Sequence, residues 1–312
     1  MWASIHGRRL MSRTAPYASV FPFSSIIWYS SVRIIFKNQS NFTEETSTTM
    51  HPVLFHLGKL SVFTYGFFIA VGFILSIFLA RKEAVRAGMD GDLIMDLSFY
   101  IIFAALIGSR LLYVVTAPEA FLANPLEIFK IWNGGLVFYG GFIFALATAL
   151  GYIKFKKLKT WQVTDILATV LPLGQFFGRL GCFSAGCCFG KICDLPWAVT
   201  FRDPMSLAPT GIPLHPTQIY MALTNLTVFL IIWLTRKRKH YHGQIFCMYL
   251  VLEGGTRTWM ETFRSDFRGS TFFQALSISQ VIGLSMVVLG IVMMIVLGKN
   301  KANLSASHEN LS

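Results

Sequence analysis

The chain has 312 residues, of which 54% are hydrophobic and only 13% charged, about half the usual quarter. Phe alone occurs 29 times, and the formal net charge is +12. This balance excludes a disordered chain and a DNA-binding domain and leaves too little polar surface for a soluble enzyme. The chain is therefore read as an all-α, polytopic membrane helix bundle. Its Lys and Arg sit in short clusters between apolar runs, so topology accounts for the charge and no nucleic-acid partner is expected.

Residues 1–49 hold Arg8, Arg9, Arg13, Arg33 and Lys37 against Glu44 and Glu45, with many Ser and Thr. The apolar stretch Tyr17 to Phe36 is broken by Pro22, several Ser and Arg33, a poor spanning helix without a clean small-residue cleavage site. A disordered basic extension is expected here, or the upstream translation of a chain that starts at Met50. An interfacial amphipathic segment is the alternative. The body is expected to be one transmembrane domain over 50–298, followed by a short cytoplasmic tail, 299–312.

From Ser61 onward, apolar runs of roughly twenty residues alternate with charged breaks, the length that a hydrocarbon core of ~30 Å requires. Seven transmembrane helices are predicted, over about 61–80, 93–115, 135–153, 163–183, 217–234, 243–261 and 277–298. The breaks after the first, third and fifth runs carry Arg81, Lys82 and Arg86; Lys154, Lys156, Lys157 and Lys159; and Arg236 to Lys239. Lys299 and Lys301 follow the seventh. The other breaks mix charges. Alternate loops are thus expected in the cytoplasm, with the N-terminus outside and the C-terminus inside.

Charges at membrane depth cost a few kcal/mol and mark candidate sites. In the second run, Arg110 either snorkels to the interface or lines a site. Early in the fourth, Asp165 is expected to see water at the cytoplasmic boundary. Late in that run, Arg179 stands among Gly174, Gly178 and Gly181 with no acid within four residues, and is the best candidate for binding a lipid phosphate through its planar fork. In the sixth, Glu253, Arg257, Glu261 and Arg264 fall on one helix face. They read either as an ion-pair ladder or as a polar cavity in which Arg257 meets an anion.

Between the second and third runs, the block from Asn133 through Gly134, Gly135, Leu136, Val137, Phe138 and Tyr139 to Gly140 and Gly141 suggests an irregular segment lining a cavity. His215, before Pro216 at the start of the fifth run, is a base, a phosphate contact or a cap. Cys182, Cys187, Cys188 and Cys193 lie within twelve residues on the expected outer side, where structural disulfides are favoured. Their C-x4-CC-x4-C pattern is not a common zinc spacing, and a metal site or redox pair is the alternative. Cys247 is expected to be a small apolar packer.

Taken together, these motifs resemble the prolipoprotein diacylglyceryl transferase family. They are Tyr65-Gly66, Gly108-Ser109-Arg110, the GGLVFYGG block, Gly178-Arg179-Leu180-Gly181 with Gly190, His215-Pro216-Thr217-Gln218-Ile219-Tyr220, and Arg257 with Glu261 and Arg264. The resemblance covers about residues 50–298. Departures are Cys182 and Ala185 where the family has Asn, Cys187 where it has Glu, Asn133 where it has His, and Glu253 where it has Tyr.

The resemblance implies an enzyme of the bacterial inner membrane. It would transfer diacylglyceryl from phosphatidylglycerol to the lipobox cysteine of a prolipoprotein signal peptide, forming a thioether and releasing glycerol 1-phosphate. It implies Arg179, Arg257, His215 and Tyr65 as catalytic residues. Arg179, Asn133, Gly134, Gly135, Tyr139 and Glu261 are the residues it implies against phosphatidylglycerol. It implies no organic cofactor and no metal. The competing class is a membrane thiol–disulfide oxidoreductase working through the cysteine cluster.

Overall fold

A computed structural model describes residues 52–57, 60–118, 121, 124–129, 135–264 and 276–309. The extension predicted over 1–49 lies outside the described residues. Seven helices carry the fold: α1 (Thr64–Arg86), α2 (Gly91–Thr116), α3 (Phe138–Phe155), α4 (Thr160–Ala185), α5 (Thr217–Thr235), α6 (Gln244–Met260) and α7 (Ile278–Glu309). Each predicted span has its helix, and six are long and apolar enough to cross a membrane. The exception is α6, which has 17 residues and includes Glu253 and Arg257.

Three boundaries differ from the sequence expectation. The first helix starts later, because Leu60–Phe63 (β2) pairs antiparallel with Val53–Leu57 (β1). These short apolar segments satisfy their backbone groups across a hairpin, and the Thr64 N–H closes the turn onto the Pro52 carbonyl at 2.9 Å. The sixth helix stops at Met260, and Glu261–Phe263 tighten into a 3-10 turn. The last helix, α7, runs past the predicted span, on to Glu309.

Helices pack in the order α3 on α2, α2 on α1, α1 on α4, α4 on both α5 and α6, and α6 on α7. Between α2 and α3 the backbones touch: a Cβ on Gly108 would collide with the Gly140 carbonyl, and one on Gly140 with the Gly108 carbonyl. Small residues at such crossings replace the hydrophobic drive that lipid cannot supply.

The basic loops gather at one end of the bundle, and two acids, Glu83 and Asp165, are buried there. Asp165 is not water-facing as expected. It is 2% exposed and accepts hydrogen bonds from Lys239 Nζ at 2.9 Å, Gly243 N–H at 2.9 Å and Phe246 N–H at 3.0 Å. It therefore caps the start of α6 and fixes the Arg236–Lys239 loop. Glu83, also buried, receives Arg86 Nε at 2.7 Å and Arg236 Nε at 3.0 Å, and Arg236 lies over the Trp233 ring. Periodicity placed Asp165 near a boundary; it could not show that α5 and the following turn bring cations back over it and over Glu83.

At the other end, residues 186–216 fold into a small head rather than an open loop. Val199–Thr200 (β3) pairs with Pro213–Leu214 (β4), and Phe201, Ala208 and Leu214 form a core under Phe183 and Phe189. Phe201 is wholly buried, which is worth about 1.5–3 kcal/mol. The head is stitched to the segment after α6: Lys191 N–H donates to the Phe263 carbonyl, and Lys191 Nζ to the Thr262 carbonyl at 2.9 Å.

Candidate active site

Two helices build a polar pocket inside the bundle. From α4, one helical turn apart, come Gln175 and Arg179. Tyr249, Glu253 and Arg257 come from α6, again one turn apart. Gln175 Nε2 donates to the Tyr249 hydroxyl at 3.0 Å and ties the two helices together. Glu253 is buried, and both Arg179 and Arg257 lie within electrostatic reach of its carboxylate. Arg179 has no acid near it in sequence, yet it faces one across the helix packing. Buried Gln175 Oε1 and Glu253 Oε2 have no hydrogen-bond partner among the described residues. The pocket thus offers two guanidiniums to an anion and two carbonyl-type oxygens to hydroxyl donors.

Tyr65 stands at the start of α1 with its ring and backbone against Gly181, and within electrostatic reach of Arg179 and three cysteines. The structure therefore brings Tyr65, Arg179 and Arg257 into one region. Gln175 and Tyr249 belong to it too, and sequence reasoning missed them because an uncharged Gln or Tyr in an apolar helix gives no signal of its own.

His215 is placed differently. Its Nδ1 lies 3.2 Å from the Tyr220 hydroxyl, which accepts from Trp197 Nε1 at 2.7 Å, and its ring packs on Phe263. It does not cap α5: Pro216 holds that position without a side-chain cap bond. Its backbone holds the head instead, through Gly190 N–H to the His215 carbonyl and His215 N–H to the Lys191 carbonyl.

Glu261 accepts from Ser277 Oγ at 3.0 Å, joining the 3-10 turn to the start of α7. The helix has ended by then, so the predicted face of Glu253, Arg257, Glu261 and Arg264 is not one continuous helical face. Tyr139 is 61% exposed on α3, which packs against α2 rather than α4. Asn133 and Gly134 lie outside the described residues.

Gly135 has φ +75°, the left-handed region, and its carbonyl accepts from Arg110. Arg110 does not snorkel. It is 7% exposed, donates from Nε to the Ile128 carbonyl at 2.9 Å and from Nη1 to the Gly135 carbonyl at 3.1 Å, and sits against Tyr113 and Phe121. Its guanidinium satisfies carbonyls of the non-helical segment between α2 and α3. Residues 135–137 are irregular, as the glycine block predicts.

All five cysteines are free thiols, so the expected disulfides are not formed. The sulfurs of Cys182, Cys187 and Cys188 lie within 4.8 Å of one another, whereas Cys193 is outside this group and binds through its backbone to Pro213. The Cys188 thiol is held well below the ordinary thiol range by hydrogen bonds from Cys182 and Cys187, with the Arg264 guanidinium adding to the effect. The Cys187 thiol is pushed up by the same neighbours and by burial. Cys247 is buried in α6, as a packing residue should be.

The family model described as prolipoprotein diacylglyceryl transferase matches residues 52–296. A phosphatidylglycerol–prolipoprotein diacylglyceryl transferase of Clostridium tetani is 37% identical over 246 residues, covering 78% of this chain and 96% of the relative. Proteins of the same name from Cupriavidus metallidurans and Proteus mirabilis are 34% and 30% identical, each over 78% of this chain and over 92% and 90% of their own lengths. The match runs from before α1 into α7 and takes in the α4 and α6 side chains and the folded head: the chain belongs to the prolipoprotein diacylglyceryl transferase family.

Proposed function

We propose that this membrane transferase moves the diacylglyceryl group of phosphatidylglycerol onto the lipobox cysteine of a prolipoprotein signal peptide. The observation that carries the reading is the pocket between α4 and α6, where Arg179 and Arg257 flank a buried carboxylate. A phosphatidylglycerol headgroup has a phosphate that accepts and glycerol hydroxyls that donate. The guanidiniums suit the first; Glu253 Oε2 and Gln175 Oε1 suit the second.

In the reaction the acceptor thiol loses its proton and its sulfur attacks C3 of the diacylglyceryl unit. The bond from C3 to the phosphate oxygen breaks, a thioether forms, and glycerol 1-phosphate departs. Arg179 and Arg257 stabilise the charge that grows on the leaving phosphate, a role in which fixed donors act most strongly away from water. Tyr65, beside Arg179, is positioned toward the same reacting region. His215 serves from the head, through the ring cluster with Tyr220 and Phe263.

The basic end faces the cytoplasm of a bacterial inner membrane in this reading, and the head with its cysteines faces outward. A reporter fused after Lys157 should be cytoplasmic and one after Lys191 external; the reverse would put Arg179 on the wrong side.

The reaction is tested with purified protein, phosphatidylglycerol and a precursor peptide bearing a Leu-Ala-Gly-Cys lipobox. The peptide should gain one diacylglyceryl mass on its Cys, with an equal amount of glycerol phosphate, and phosphatidylethanolamine should be a poor donor. Binding of phosphatidylglycerol without thioether formation on several lipobox peptides would overturn the assignment. The oxidoreductase alternative has no support: the family matched over the whole bundle is a transferase.

A further inference from the structure

Beside Tyr65 and Arg179, the fold gathers three cysteine side chains to which the proposed function assigns no role. We infer that Cys182, Cys187 and Cys188 form a binding site for a thiophilic closed-shell cation, zinc(II), with Arg264 as its charge partner.

Geometry comes first. The three sulfurs lie within 4.8 Å of one another. Tetrahedral zinc with bonds of about 2.3 Å needs its sulfurs about 3.8 Å apart, so closure requires shifts of an ångström or less. A disulfide would need about 2 Å between two sulfurs and would leave the third thiol unused.

The placement is built by the chain. Cys182 projects from the last turn of α4, and the helix stops at Ala185, so Cys187 and Cys188 do not continue around its surface. Cys188 has φ 63°, a left-handed conformation that a non-glycine residue keeps only where its surroundings impose it. Those surroundings are the first turn of α5. Thr217 Oγ1 donates to the Cys188 carbonyl and Gln218 Nε2 to the Cys187 carbonyl, each at 2.8 Å, and both side chains are fully buried. Such outer contacts are what hold metal ligands in register.

Electrostatics agree. Zinc with three thiolates carries a net negative charge. The Arg264 guanidinium, 6% exposed, hydrogen-bonds the Cys188 sulfur, and Arg179 lies within electrostatic reach of Cys182. The ligand set is sulfur alone, which selects zinc over harder cations. Three protein ligands leave a fourth position open, the pattern of zinc sites that bind an exchangeable ligand.

The test of this site does not use the transfer reaction. Full-length protein in detergent is reduced, stripped of metal and titrated anaerobically with cobalt(II), whose thiolate complexes absorb in the near ultraviolet. One cobalt per chain should give a sulfur-to-cobalt band, and zinc should displace it. Cys187→Ser and Cys188→Ser should each lose more affinity than the roughly 10–100-fold that an outer-shell change costs. Cys193→Ser and Cys247→Ser should keep the band. Cys187→His, which retains a ligand, should still bind with a weaker band, and size-exclusion profiles check that each variant is folded. No band in the parent protein, or an unchanged band in Cys187→Ser and Cys188→Ser, would overturn the site. So would peptide mapping that finds Cys187 and Cys188 in disulfides in protein purified without reductant.

Discussion

The two ends of this bundle treat buried charge in opposite ways. At the basic end, Glu83 is closed by Arg86 and Arg236, and Asp165 by Lys239 and two backbone N–H groups. Toward the head, Gln175 Oε1, Gln218 Oε1 and Glu253 Oε2 are buried without hydrogen-bond partners among the described residues, and three thiols crowd together. Among the described residues, the Tyr152 hydroxyl is the one such atom at the basic end. Buried polar groups that hold a fold are satisfied within it, because an unmet donor or acceptor costs about 1–3 kcal/mol. In the reading proposed above, the basic end serves as scaffold and the half toward the head does the work.

Substitutions can break this contrast. The largest effect is expected from Arg179→Ala: transfer should fall about a thousandfold while the protein still inserts, as when a preorganised charge contact is removed. Arg179→Lys should recover little, since a point charge does not replace a planar fork. Mass spectrometry of the lipobox peptide reads both, and a fully active Arg179→Ala protein would remove the pocket from the working half.

Asp165→Ala should act the other way round. Removing one partner of a buried, hydrogen-bonded ion pair costs about 3–5 kcal/mol, seen as a lowered unfolding temperature in detergent with transfer retained by the folded fraction. A smaller coupling is expected between Glu83 and Arg236. A double-mutant cycle with Glu83→Gln and Arg236→Met should give about 1–3 kcal/mol in stability and none in transfer. The least effect belongs to Cys247→Ala, about 1 kcal/mol or a little more for a small buried group, with activity unchanged. Loss of transfer there would mean the two halves are not separable.

Much of the architecture was legible in the amino-acid order. Each apolar run became a helix because a lipid core sets one length for every crossing segment and forbids unpaired backbone. Arg179 and Arg257 stood out because charge at membrane depth is costly. The irregular Gly135–Val137 segment followed from its glycines. The same local reading went wrong where a partner lies far along the chain. Asp165 was expected in water and is held by Lys239, 74 residues away. Arg110 was given the choice of snorkelling and instead binds the carbonyls of Ile128 and Gly135.

The sequence by itself determined the membrane class, the helices and the arginines, since composition, run length and the cost of charge in lipid are properties of short segments. Only the tertiary structure decided which groups meet. It put Glu253 within electrostatic reach of both Arg179 and Arg257, tied Gln175 to Tyr249, folded residues 186–216 into a head, and left Cys193 apart from the other three cysteines of its cluster. The reason is physical: α4 and α6 are neighbours by packing and not by sequence. A pocket between two helices depends on how they are rotated against each other, which neither helix encodes alone.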